Sequence, residues 1–148
     1  MVGVIMTNKI HPELVKAYLD ANYSIEAFGA YIRLEVNKTN PLLTKIMSDY
    51  QVVTAAFITA FNPHSQIVDF GVNKNMQLRL VRDVLTLGYS YLKGFGESSE
   101  GGWLKEESIL ILGITENKAE FLADQYRQNG YLWINSQDEI CRLRLCDQ

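Results

Sequence analysis

The chain has few of the residues that usually announce a chemistry. Among 148 residues there are two cysteines, two histidines and no excess of basic charge. Cys141 and Cys146 lie five residues apart in a strand-like segment, so they point to opposite faces and do not readily pair. With no CxxC pair, no zinc site is expected, and a reduced, cytoplasmic setting fits this cysteine usage. A formal net charge of -3 argues against a nucleic-acid or anionic-membrane partner. Arg79, Arg82 and Lys74 can share one helix face, which reads as an ordinary solvated face. No apolar run approaches the ~18 residues of a membrane span. The opening Met1–Lys9 lacks a basic n-region and a long h-region, so no signal peptide is expected. GxSxG, HExxH and kinase signatures are absent.

What is present is the composition of a globular domain: 47% hydrophobic and 21% charged. A flexible segment over 1–10 and a single domain over 11–148 are expected. Pro12 suits a first helical turn, with Leu14, Val15, Tyr18 and Leu19 as the apolar stripe. Tyr31–Val36 alternates as a half-buried strand. Asn40-Pro41 caps a short helix with Leu42, Leu43, Ile46 and Met47 inward. The nearly continuous apolar run Val52–Phe61 predicts a strand buried on both faces, central in the sheet and beside Tyr31–Val36. Asn73–Leu87 reads as a helix stopped by Gly88. Tyr89–Phe95 reads as a strand running into a flexible loop of Gly94, Gly96, Gly101 and Gly102. That loop is acidic, lacks a GK[ST] ending and leads into a strand, so it is not a phosphate loop. Glu107–Ile114 predicts a second buried strand, and Thr115 caps a helix ending near Asn129. Tyr131–Asn135 and Glu139–Leu145 form a terminal hairpin. Alternating strands and helices followed by strand pairs predict an α+β fold, a mixed sheet of five or six strands with about four helices packed on it.

Candidate site residues gather where the Val52–Phe61 strand ends in the corner Asn62-Pro63-His64-Ser65, since ligands favour strand ends. His64 is a candidate general base near neutral pH, against a plain loop role. Asn62 either satisfies backbone groups where the strand stops or faces a ligand, and the hydroxyl of Thr59 either bonds a neighbouring strand or joins it. Glu106-Glu107-Ser108 opens the second buried strand, where a carboxylate serves as base, ligand or edge charge, and Glu107 is the second candidate base. No second acidic cluster supports a metal.

Four segments in order carry a resemblance: Thr59-Ala60-Phe61-Asn62-Pro63, then Asn73 opening a helix, Trp103-Leu104-Lys105-Glu106-Glu107-Ser108, and Tyr126-Arg127-Gln128-Asn129 before an apolar strand. Together they resemble a bacterial family known only as a domain of unknown function, over about residues 17–143. Phe61 stands where that family usually has tryptophan, and Glu107-Ser108 lacks an intervening proline. The resemblance implies a small cytosolic α+β domain and no reaction. It points to Asn62, Asn73, Glu107, Ser108 and Gln128. The expectation is a binding or regulatory domain with one polar site, formed by these residues and Thr59, for a small polar ligand or a partner protein. The alternatives are a small hydrolase or transferase using His64 or Glu107, and an inhibitor-like protein of a mobile element acting by surface contact. No metal and no cofactor are expected, and nothing in the sequence bears on oligomeric state.

Overall fold

The computed structural model describes residues 10–99 and 105–146. All but the last residue of the expected N-terminal segment, and Trp103-Leu104, lie outside them. The described chain forms four helices, α1 (Pro12–Asp20), α2 (Pro41–Asp49), α3 (Phe70–Thr86) and α4 (Glu116–Gln125). It forms seven strands, β1 (Asn22–Ala27), β2 (Ala30–Leu34), β3 (Thr54–Thr59), β4 (Ser90–Glu97), β5 (Glu106–Leu112), β6 (Gly130–Asn135) and β7 (Cys141–Leu145). Side chains cap the helices as their sequences demand. His11 Nδ1 accepts from Glu13 N (3.1 Å), Asn40 Oδ1 from Leu43 N (3.1 Å) and Thr115 Oγ1 from Lys118 N (3.3 Å). Asp69, not Asn73, caps α3, so Asn73 lies inside its first turn.

The sheet has the order β2-β1-β4-β5-β3-β6-β7, and every adjacent pair is antiparallel. The α+β class therefore stands, but the sheet is antiparallel, not mixed, and has seven strands, not five or six. The reason lies in the crossovers. β3-α3-β4 and β5-α4-β6 are both helix-linked parallel pairs, as the alternation implied. Each leaves a gap of one strand, filled by the antiparallel member of the other pair: β5 between β3 and β4, β3 between β5 and β6. Helical crossovers thus coexist with a wholly antiparallel ladder.

The seventh strand, β1, escaped the sequence pattern because its turn, Phe28-Gly29, carries no Asn-Gly or Asp-Gly signal. Both turn residues are left-handed (φ 55° and 74°), the requirement of a two-residue hairpin. That hairpin takes β2 to the edge of the sheet, four places from β3 and not beside it. Gly94 and Gly96 belong to β4, not to a loop. A Cβ on Gly94 would lie 2.3 Å from the Ser24 carbonyl oxygen and 3.0 Å from the Phe57 ring, and one on Gly96 would meet the Tyr23 ring at 3.2 Å. Here glycine marks close approach of neighbours.

β3 is buried on both faces, as its continuous apolar run requires. Ala56 and Ile58 pack with Leu80 and Val84 of α3 and Leu122 of α4, while Ala55 and Phe57 pack with Leu43, Ile46 and Met47 of α2. Phe57 and Ile58 are 4% and 1% exposed, and the segment is a strand paired on both sides, with β5 and β6. Cys141 and Cys146 form no disulfide with each other and are buried, one in each core, as their spacing implies. On the second face the sheet curls into a half-barrel. The segment after β2 reaches the start of β7 through a Thr39–Ile140 bridge, with Asn37 N donating to Cys141 O (2.7 Å). α2 fills one end of this trough. α1 lies across the other.

Candidate functional site

Under α1 the trough holds a cavity of about 220 Å³, bounded by α1, the corner after β3 and the ends of β1, β3, β4, β5 and β6. Its floor is Phe57 and Tyr23, whose rings meet edge to face at 5.8 Å over the space left by Gly94 and Gly96. Leu14 and Tyr18 of α1 close it from above. α1 buries no residue fully. It is tied down through Tyr18, whose hydroxyl bonds Ser65 Oγ and accepts from Asn129 Nδ2 (2.9 Å), while its carbonyl accepts from Tyr23 OH (2.5 Å).

The polar wall grows out of a problem at the end of β3. Beyond Thr59 the chain leaves the ladder, and its buried peptide groups need other partners. The buried stripe of α3 continues from Leu80 and Val84 into Gln77 and Asn73, which supply them. Gln77 Oε1 accepts from Ala60 N (2.9 Å) and Asn73 Oδ1 from Asn62 N (2.8 Å). Thr59 Oγ1 accepts from Phe61 N (3.0 Å) and donates to Glu107 O (2.5 Å), and Gln128 Nε2 donates to Phe61 O (3.0 Å) and Tyr126 O (3.2 Å).

These backbone bonds also fix which way each amide faces. Asn73 Oδ1 is committed to a peptide N–H, so its Nδ2 must donate, and it does so to Asn62 Oδ1 (2.8 Å). That oxygen also accepts from Val68 N (3.2 Å), which leaves Asn62 Nδ2 for Glu106 Oε2 (2.8 Å). A chain of amides thus runs from the buried helix stripe to one carboxylate on the cavity wall. Glu106 is the only charged side chain among the described residues lining the cavity, and it takes part in no ion pair there. Burial without a counter-ion pushes its carboxyl up to about 6, against the opposing pull of the Asn62 amide. The corner itself is strained. Asn62, His64 and Ser65 all have left-handed backbones (φ 46°, 55° and 60°) with no glycine among them, an arrangement that persists only where surroundings enforce it.

Of the residues singled out from sequence, Thr59, Asn62, Ser108 and Gln128 line this cavity. Asn73 stands behind it as the buried support of Asn62. Glu107 does not line it. Adjacent residues of a strand face opposite ways, so Glu106 and Ser108 point into the trough with Leu110, and Glu107 points to the α3 side with Ile109. There its carboxylate pairs with Lys74 Nζ at 2.6 Å, with both side chains more than 40% exposed (43% and 44%). His64 lies outside the cavity lining, and its backbone N–H donates to Arg127 O (2.7 Å). Glu106, Gln77, Tyr18 and Tyr23 were not among the sequence candidates. Strand parity could have found the first: Ser108 and Glu107 cannot share a face, so a site containing Ser108 selects Glu106.

Fold and cavity together define a small α+β domain with a carboxylate-bearing pocket in the trough of a half-barrel, beneath α1. Residues 58–130, just under half of the chain, match the model of a family described as a protein of unknown function, DUF3293. The matched stretch runs from the end of β3 to the start of β6 and carries Asn62, Asn73, Glu106 and Gln128. No curated protein and no solved structure matches the chain.

Proposed function

We propose that this domain binds a small polar ligand in the cavity beneath α1, with Glu106 as its anchor and Asn62, Ser108 and Gln128 as its polar surround. The observation that carries the reading is a half-buried carboxylate with no counter-ion among the described residues, held in one orientation by a relay of amides and open to a cavity. Such a charge is costly in a purely structural role. The strained corner supports the same reading, because left-handed non-glycine backbone clusters at ligand sites. A concave site favours a ligand over a flat protein contact. A fragment screen by NMR tests it. The expected result is at least one fragment that shifts the amide resonances of Gly96, Ser108, Gln128 and Gly130 together and is excluded by Ser108→Leu. A screen whose hits all lie elsewhere on the surface rejects it.

A second reading, a small hydrolase or transferase, rests on the same carboxyl. A group titrating near 6 exchanges protons readily at neutral pH, and this reading assigns the base to Glu106 in place of His64 or Glu107.

A further inference from the structure

The hydrogen bonds already made around the cavity narrow what it can hold. Most of its side-chain donors are spent on the protein; the second hydrogen of Asn62 Nδ2 and one hydroxyl hydrogen of the Tyr18–Ser65 pair are the exceptions. Asn62 Nδ2 serves Glu106, Gln128 Nε2 serves two backbone carbonyls, and the hydroxyls of Thr59, Ser108 and Tyr23 each donate to a carbonyl: those of Glu107, Glu106 and Tyr18. The amide assignments of Asn62 and Gln128 are not interchangeable, because a peptide N–H fixes the first and two carbonyls fix the second. What is left over is chiefly acceptors. Among the described residues no donor reaches Glu106 Oε1 or Gln128 Oε1. A ligand that carries negative charge finds no cation among the described residues of the lining and meets the Glu106 carboxylate instead. The surrounding rings of Tyr18, Tyr23 and Phe57 present π-faces or edges to the same space, and aromatic faces attract cations.

Resting on the ligand-binding reading above, we infer that the cavity takes a nitrogen cation that donates hydrogen bonds, an amine, amidine or guanidinium group, held against Glu106 with Gln128 Oε1 as second acceptor. The group would supply the counter-ion that Glu106 lacks among the described residues, and a charge-assisted bond would replace its lost hydration. The volume of about 220 Å³ admits one ring or a short chain, since a cavity of roughly 150 Å³ already holds benzene.

Three probes of one shape test the charge: benzamidinium, benzamide and benzoate, titrated by NMR. Benzamidinium is expected to shift Gly96, Ser108, Gln128 and Gly130, to bind at least about tenfold more tightly than benzamide, the scale of one charged hydrogen bond, and to leave benzoate without effect. Its affinity should rise between pH 5 and pH 7 as Glu106 ionises. Glu106→Gln should abolish the preference for the cation, while Glu107→Gln, on the opposite face, should leave it unchanged. Equal or tighter binding of benzamide or benzoate, no binding of any probe, or an unaltered preference in Glu106→Gln overturns the inference. If the fragment screen at the same time fills the cavity with a neutral or anionic molecule, the ligand-binding reading survives and only its charge is wrong. If the screen leaves the cavity empty, both fall.

Discussion

Replacing Glu106 by glutamine should make the protein more stable, and only at high pH. The carboxyl titrates at about 6 in place of its ordinary 4.5. Each tenfold change in acidity corresponds to about 1.4 kcal/mol, so ionising this group in the fold costs about 2 kcal/mol more than in the unfolded chain. The sign follows from proton counting. Between 4.5 and 6 the folded state holds more protons than the unfolded one, so stability falls as pH rises through that window. The penalty is absent below it and complete above it. Glutamine keeps the shape, and its Oε1 can still accept from Asn62 Nδ2, but it carries no charge to desolvate. Urea denaturation at pH 4.5 and pH 8 should therefore show the variant exceeding the native protein by about 2 kcal/mol at pH 8 and by much less at pH 4.5. In a domain of this size that is roughly 4–8 °C in Tm. Glu107→Gln is the internal control. It breaks only an exposed ion pair with Lys74, worth less than about 1 kcal/mol, and should keep the native fall in stability between pH 4.5 and pH 8. A Glu106→Gln protein that is less stable than the native one at pH 8 would refute this reasoning, because it would mean that the carboxylate is held for the sake of the fold.

Three further outcomes follow from the same geometry. Asn62→Ala removes the acceptor of the buried Asn73 amide and puts alanine in a left-handed backbone; equilibrium unfolding should register a loss of about 3–5 kcal/mol, and a loss below about 1 kcal/mol would mean the corner is not so constrained. Gly94→Ala should unfold or severely destabilise the domain, since its Cβ would meet the Ser24 backbone oxygen at 2.3 Å; a soluble variant with native thermal stability contradicts the packing described. Tyr18→Phe removes the hydroxyl that ties α1 to Ser65 and Asn129, so amide exchange should accelerate in α1 while β3 and β5 keep their protection.

The strands that bury both faces, β3 and β5, were legible because an apolar run of that length without alternation fits little besides a central strand. The helix caps at Asn40 and Thr115 were legible because their chemistry is local. The same doubly apolar pattern hid the site. Where both faces of a strand are buried, the hydrophobic pattern no longer tells one face from the other, and Glu106 and Glu107 look equivalent. Parity with Ser108 separates them, and the pairing of Thr59 with Ser108 across β3 and β5 fixes which of them enters the trough. Sheet order was illegible for a different reason. A helix between two strands reads the same whether the strands are neighbours or have a third between them. The buried Gln77 was unreadable because an amide in a helix stripe gives no sign of the peptide N–H it serves, which belongs to Ala60 in another element.

The interlocking of the two helix-linked pairs has a bearing on how the chain reaches this state. β3 has both its neighbours, β5 and β6, made later in the chain, and β4 cannot join the body of the sheet until β5 has formed between them. No contiguous piece shorter than the span from β3 to β6 closes the middle of the ladder. During synthesis this doubly buried strand must therefore wait with both edges bare while about 50 residues follow it, and with one edge bare for about 70, on the order of several seconds at usual elongation rates. Until β6 emerges, that strand is the segment most open to capture by a chaperone or by another copy of itself.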